Sequence, residues 1–380
     1  INYSSREKRK RGSSSFLTVT DYPEMPMVDE RYLLPSSSLA FIGMGDVITY
    51  DVMQMYRDGI YIESEIGNFD SSRSLKVWNV SEDALILYSQ LDFGSEESSI
   101  FGNVGLQLFY GEQSSIGEAV TPRGDGYYHF VETEGGLDDF EVLPSGNVSW
   151  AIVDDQTLRF GASRQLARSR MDRINASFGV GFNANDIGVE GLSPFSAGAG
   201  NPELKHITAD ALDLSYEWYF SDECYFATAA FHRELNNWQI IIGESYDFSE
   251  FPVPEQYAGL EINTQGSYFR WQNASGGYVQ GLEFSGVLPA SVLFDIEPDF
   301  GLQFSASFID SEVDPVGNMP AIPLPGQSDR IYSASFFFQW KGLEARVGLR
   351  KRSDFLGEVV DTGLVLVPTM VRSDTVYDAQ

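Results

Sequence analysis

The clearest pattern along the chain is an alternation of period two. In the stretch 201–237, Leu212, Leu214, Tyr216, Trp218 and Phe220 fall on one face of an extended segment, and Asp213, Ser215, Glu217 and Tyr219 on the other. Successive strand side chains point to opposite faces, so this spacing predicts a strand with one apolar and one polar face. A short polar turn, Ser221-Asp222-Glu223-Cys224, leads into a second alternating run through Tyr225, Ala227, Ala229 and Phe231. The pair reads as a long antiparallel hairpin. A β-sandwich could show the same alternation, since its inner face is apolar. Strands of about ten residues with aromatics near their ends favour a barrel that crosses a bilayer.

Similar runs recur. Segments 81–93 and 100–110 form one predicted hairpin, and 140–153 with 157–162 another; 281–288, 301–309, 331–340 and 343–350 are further strands, and 376–380 starts one more. The alternation rule gives about a dozen strands. Short connections at 94–98, 154–156, 221–224 and 341–342, with 289–298 slightly longer, alternate with long ones at 112–138, 164–208, 238–277, 310–329 and 351–373. Outer-membrane barrels have this asymmetry, short turns on one rim and long loops on the other. The expected fold is mainly β: an incomplete antiparallel transmembrane β-barrel. Leu302, Phe304, Phe308, Phe336, Val347 and Leu349 should join Leu212 and Leu214 on the lipid face, with Asp213, Glu217, Gln303 and Arg346 lining the lumen. Before residue 75 the pattern is mixed and Pro23, Pro26 and Pro35 interrupt it; Arg6–Arg11 places charge on both faces of the first strand, which must therefore project beyond the lipid.

Composition narrows the choice. Apolar residues make up 43% of the 380, yet mean hydropathy is −0.18 and no run of 18 apolar residues occurs, which argues against membrane helices. Aromatics at 14% suit a barrel with two interfacial girdles. A net charge of −30 argues against nucleic acid as a partner. Cys224 is the single cysteine, so no internal disulfide forms.

Several blocks, in order, resemble TonB-dependent outer-membrane receptors: WNVSEDALILYSQLDF (78–93), GNVGLQLFYGEQSSIG (102–117), LPSGNVSWAIVDDQTLRFGASRQLAR (143–168), NPELK to EWYF (201–220), GGYVQGLEFSG (276–286), GLQFSASFIDSE (301–312) and LPGQSDRIYSASFFFQWKGLEARVGLRKRSDF (324–355). The nearest flavour is the proteobacterial branch associated with carbohydrate uptake. Ser169 stands where that family usually has proline. The resemblance implies a plugged barrel of ~22 strands in the bacterial outer membrane. It also implies energy from a TonB partner acting through the plug, uptake of a scarce nutrient such as an oligosaccharide, and no covalent chemistry. Residues 1–380 are then expected to be part of the barrel domain, with plug and C-terminal strands outside the chain. A siderophore receptor, a passive porin and a secreted carbohydrate-binding β protein are the alternatives.

Catalytic and metal-binding patterns are missing from the sequence. His129, His206 and His232 are far apart, no paired-cysteine or H-E-x-x-H spacing occurs, and no phosphate-binding loop is present. No enzyme activity, metal or cofactor is expected. Paired acids at Asp138-Asp139 and Asp154-Asp155 read as solvated turns. Binding candidates lie in 238–277, where aromatics are dense among acids and amides. Tyr246, Asp247, Tyr257, Tyr268, Trp271 and Asn273 are the expected ligand-binding residues, because sugar rings stack on aromatics and hydrogen-bond to carboxylates and amides. The alternative is that these aromatics pack the loop or join the girdle. Arg164, Arg168, Arg170 and Arg173 form a cluster expected to pair with barrel acids.

Overall fold

The computed structural model describes residues 1–11, 15–19, 28–40, 43, 45–65, 74–95, 98–122, 124, 128–221, 223–292, 294, 299–314, 320–361 and 366–380. Pro23, Pro26 and Asp222, named above as breakers and turn, lie outside them.

Strand β1 (Asn2–Arg11) precedes a region of short elements: β2 (Ser15–Val19), β3 (Leu33–Ser38), β4 (Asp46–Tyr50), α1 (Val52–Arg57) and β5 (Tyr61–Glu65). A meander of long strands then begins with β6 (Val77–Phe93), β7 (Ile100–Pro122), β8 (Tyr128–Val153) and β9 (Gln156–Ala167). A short hairpin, β10 (Phe178–Phe182) and β11 (Phe195–Ala199), interrupts it. The meander resumes through β12 (Ile207–Ser221), β13 (Cys224–Asp247), β14 (Gln265–Pro289), β15 (Asp299–Val313), β16 (Arg330–Trp340) and β17 (Leu343–Arg352). A further hairpin, β18 (Phe355–Asp361) and β19 (Leu366–Val371), leads to β20 (Asp374–Ala379).

One 14-stranded sheet holds most of this, in the order β1-β6-β7-β8-β9-β12-β13-β14-β15-β16-β17-β20, with β10 and β11 off the path. Neighbours on the path are antiparallel. Among the described residues β1 and β20, its two edges, do not pair with each other. The tight turn at Lys341 and Gly342 has φ of +46° and +86°. Positive φ at both central residues matches the twist of the strands it joins.

The register carries the alternation across the sheet. Leu214 stands opposite Phe160 and Ala230, Phe160 opposite Val148, and Leu302 opposite Phe336, which faces Val347. On the far side Leu91 faces Val104 and Leu87 faces Leu108. Leu87, Leu91, Val104, Val148, Phe160, Leu212, Leu214, Leu302, Phe336 and Val347 are all exposed. So wide an apolar surface on a folded chain needs a hydrocarbon partner. The opposite face is polar. Arg159 Nε and Nη2 donate to the Glu217 carboxylate and Nη1 to Ser149 Oγ, Arg233 pairs with Asp213 at 2.7 Å, and Asn147 donates to Asn103. Lipid outside and ion pairs inside identify the sheet as the wall of a membrane barrel. Among the described residues no helix is long and apolar enough to cross a membrane; the strands do the crossing.

The long connections differ from expectation. Much of 112–138 and 238–277 is strand: β7 and β8 pair from Ile100↔Trp150 to Pro122↔Tyr128, and β13 and β14 from Tyr225↔Val287 to Asp247↔Gln265. These hairpins rise well beyond the apolar belt. Their upper halves are rich in Gly, Ser and Thr, a loop-like composition. The reason is steric: other backbone packs flat against them. A Cβ on Gly117 would lie 2.8 Å from Ser177 N. Likewise 351–373 contains β18 and β19, which pair as a separate hairpin.

Candidate functional site

The tall hairpins β7–β8 and β13–β14 flank two short strands, since β9 ends at Ala167 and β12 begins at Ile207. Residues 168–206, which join the short strands, fold back across the inner face of the wall. There β10 lies parallel to β7 (Phe178↔Ala119), just past Gly117, the last β7 residue paired with β6. Strand β11 lies parallel to β14, from Ser196↔Ser267 to Ala199↔Arg270, past Gly277, where β14 stops pairing with β15. Hydrogen bonding thus closes a ring of eight strands, β7-β8-β9-β12-β13-β14-β11-β10, on top of the open wall.

Inward-facing wall side chains hold this cap by its backbone. Gln113 Nε2 donates to the carbonyls of Pro202 and Leu204, both at 2.8 Å. Ser115 Oγ accepts from Ala176 N, and Thr133 Oγ1 donates to Ala176 O. From the other hairpin, Gln239 Nε2 donates to Ser169 Oγ and Lys205 O. An irregular buried segment must find partners for its peptide groups, and amide side chains supply both donors and acceptors. Ile174 and Leu204 insert beside Trp78 and Val80, with Met171 and Trp271 against them.

Glu82 is the electrostatic centre of the attachment. Its carboxylate is fully buried and receives Arg168 Nη1 at 2.8 Å and Arg6 Nη2 at 2.5 Å; the same Arg6 nitrogen donates to Ser169 O. A buried carboxylate is tolerated only when paired and hydrogen-bonded, and here one anion ties strands β1 and β6 to the first residues of the cap. His206, at its other end, is buried edge-on against Phe109 at 5.2 Å, and burial lowers its pKa.

The outer face of the ring carries a second core, with Val120, Tyr128, Val180, Phe195, Ala197, Phe248 and Phe251 at its centre. Phe195 and Phe248 stack at 5.5 Å. A third cluster, Trp238, Ile240, Ile242, Ala274 and Val313, is covered by Ile322 and Leu324 from the connection after β15.

The six expected ligand residues divide among these surfaces. Tyr246 and Tyr268 are neighbours at 5.8 Å, and Phe178 adjoins both, 6.4 Å from Tyr246 and 5.6 Å from Tyr268. Burial pushes the Tyr268 phenol up in pKa. Asp247 is exposed and accepts from Ser249 N, and that hydrogen bond lowers its pKa. Tyr257 stacks on Phe182 at 5.8 Å. Trp271 and Asn273 have the opposite strand parity to Tyr268 and face the cap. Trp271 lies under the Arg173 guanidinium at 3.7 Å, and Asn273 accepts from Lys205 N and donates to Glu203 O. Tyr246, Tyr268 and Phe178 share one patch; Asp247 follows Tyr246 on the strand at opposite parity, and it and the other three do not join the patch.

The arginine cluster is engaged mostly by carboxylates: Arg164 by Asp210 at 2.7 Å, Arg168 by Glu82 and Arg170 by Asp172. By register, Arg164 and Asp210 share the outward face with Leu212, not the lumen. Sequence reading missed Glu82, Gln113 and Gln239. The available signal was a polar residue at inward parity above the apolar belt. Among the described residues no group of three His, Cys, Asp or Glu is placed to hold a metal.

Residues 32–380 match a family model described as TonB dependent receptor-like, beta-barrel. No curated protein matches the chain. Among solved structures, the siderophore receptor PirA from Acinetobacter baumannii is 14% identical, with TM-score 0.46, over 80% of this chain and 48% of that one. A mutant of the ferric enterobactin receptor PfeA from Pseudomonas aeruginosa is 12% identical, TM-score 0.46, over 79% and 46%. The ferric-catecholate import receptor Fiu from K12 E. coli is 12% identical, TM-score 0.49, over 84% and 41%. The chain spans about half the length of these structures.

Proposed function

This chain belongs to the TonB-dependent receptor β-barrel family of the bacterial outer membrane, and from that premise we propose that it serves energy-coupled uptake of a scarce nutrient. The receptor does no covalent chemistry. It captures the ligand at the outer rim and releases it inward when TonB, acting through a plug, supplies energy. The observation that carries this reading is the family match over residues 32–380; the apolar belt and the capped inner face are consistent with it.

The ligand we propose is a neutral oligosaccharide. Support comes from the patch of Tyr246, Tyr268 and Phe178, on a chain whose net charge of −30 repels anions at long range. A second reading, an anionic ferric chelate, is favoured by Arg6 and Lys8. Both lie on the inner face of β1 near Arg168 and Trp78.

The test is transport by cells carrying the intact receptor. Accumulation of labelled maltohexaose that stops when a protonophore collapses the proton gradient supports the proposal; ferric citrate accumulation under the same dependence selects the second reading. Accumulation of either that continues unchanged after collapse identifies a passive porin instead.

A further inference from the structure

On the long strands the outward apolar run ends, towards the tall hairpins, on a polar residue that meets the headgroup layer. On β6, β7 and β8 that residue is an acid: Asp83, Glu112 and Asp138 stand opposite one another in a single cross-strand row. On β12 and β15 it is Asp210 and Asp310. The outward Arg164 of β9 is neutralised by Asp210. On β16 and β17 the sign reverses. Phe338, Phe336, Ala334 and Tyr332 lead to Arg330, and Val347 and Leu349 lead to Lys351.

The two cations are exposed and act at one place. Lys351 stands opposite Tyr332, so Arg330 is its diagonal neighbour. Diagonal pairs have Cα atoms about 7–8 Å apart, within reach of a common anion for side chains this long. The nearby carboxylates are turned elsewhere: Asp374 on β20 to Arg352 at 3.9 Å, and Asp310 to Tyr278 and Gln280. Asp329, next to Arg330 in the chain, has the opposite strand parity. Below the pair the surface is aromatic. Tyr332 lies edge-on to Phe308 at 5.8 Å, and Phe308 to Phe284 at 6.3 Å. Phe308 and Leu282 line a groove of about 640 Å³ that Gln280, Asp310 and Arg330 also border.

We propose that the outer face of β15–β17 docks a phosphorylated lipid of the surrounding leaflet, its phosphate between Arg330 and Lys351 and an acyl chain along Tyr332 and Phe308. The guanidinium supplies planar paired donors to phosphate oxygens, and the ammonium adds a point charge. Charge complementarity selects this occupant: on a chain of net charge −30, the acidic row on β6–β8 repels the same headgroup. The inference rests on the membrane wall alone and is independent of the nutrient carried.

The test follows lipid retention on the intact receptor in detergent by native mass spectrometry. The probes are dioleoyl phosphatidic acid, dioleoylglycerol, which has the chains without the phosphate, and inorganic phosphate, which has no chains. Wild type should retain phosphatidic acid in preference to dioleoylglycerol, and inorganic phosphate should not displace it. The double variant Arg330→Gln/Lys351→Gln should weaken retention at least tenfold, at about fivefold per cation. Arg57→Gln/Lys341→Gln, which removes the same charge elsewhere, should retain the lipid, as should Arg330→Lys. Heat-modifiable gel mobility confirms that each variant is a folded barrel. Retention by Arg330→Gln/Lys351→Gln equal to wild type overturns the proposal, and so does equal retention of dioleoylglycerol, which reduces the contact to hydrocarbon. Displacement by inorganic phosphate, or an equal loss in Arg57→Gln/Lys341→Gln, also overturns it: the first leaves a free-phosphate site, the second an effect of net charge.

Discussion

The guanidinium of Arg173 lies 3.7 Å from the ring centroid of Trp271, joining the cap to the inner face of β14. Trp271 also offers its carbonyl to Asn201 Nδ2 and packs against the Ile174–Leu204 cluster. Its indole is therefore a fastening.

Trp271→Ala should loosen residues 168–206 while the lower barrel remains intact. Aromatic-to-alanine changes in cores cost about 3–5 kcal/mol. Trp271 is only partly buried, so a cost of about 1–3 kcal/mol is expected after allowing for that. Hydrogen exchange of the cap peptides measures it directly. Cap protection equal to wild type, together with weakened sugar binding, would return Trp271 to the ligand site. Gly117→Val should mimic the loosening from the other hairpin, because its Cβ would meet the backbone at Ser177.

Glu82→Ala should destabilise the attachment of β1. Removing one partner of a buried charge set costs about 3–5 kcal/mol. Arg6 and Arg168 are each about 30% exposed to lumenal water, which places the expected loss near the lower end of that range. Limited proteolysis after residues 6–11 reads the release of β1. Glu82→Gln should fall between wild type and alanine, since the amide accepts hydrogen bonds without balancing charge.

His206 makes the cap sensitive to acid. Burial lowers its pKa, opposed by Glu82 and Asp139 and reinforced by Arg6 and Arg168. As pH falls below the ordinary value of about 6.5, the unfolded segment takes up the proton before the folded one. Stability contributed by the neutral ring is thus complete above that value and declines as pH drops towards the folded-state pKa. Cap protection should decrease between pH 7.5 and 5. In His206→Asn that slope should flatten; an unchanged slope would assign the effect to carboxylates instead.

Topology can be read with single thiols, because native Cys224 is buried at 2% exposure. An impermeant maleimide on whole cells should label Leu260→Cys, beyond the tall β13–β14 hairpin, and spare Lys341→Cys in the tight turn. The reverse result would invert the barrel in the membrane.

Local sequence determined the wall. A strand's faces follow from parity alone, so Leu212 and Leu214 could be separated from Asp213 and Glu217 before any partner strand was known. The tight turn between β16 and β17 followed from its own residues, Lys341-Gly342. What sequence could not decide was the fate of the long connections. Gly117 and Gly135 look like loop glycines, yet each is a strand residue without a side chain so that a distant segment can approach, the backbone at Ser177 in one case and the Pro202 ring in the other. Tyr268 and Trp271 look like members of one aromatic loop, yet they stand on opposite faces of β14 with different partners. Glu82 reads as one more acid until Arg6 and Arg168 arrive from 76 and 86 residues away. Parity is a property of a few adjacent peptide units and is written locally. Closing the ring of β7, β10, β11 and β14 depends on contacts between segments far apart in the chain, whose energy appears only when the barrel brings their edges together.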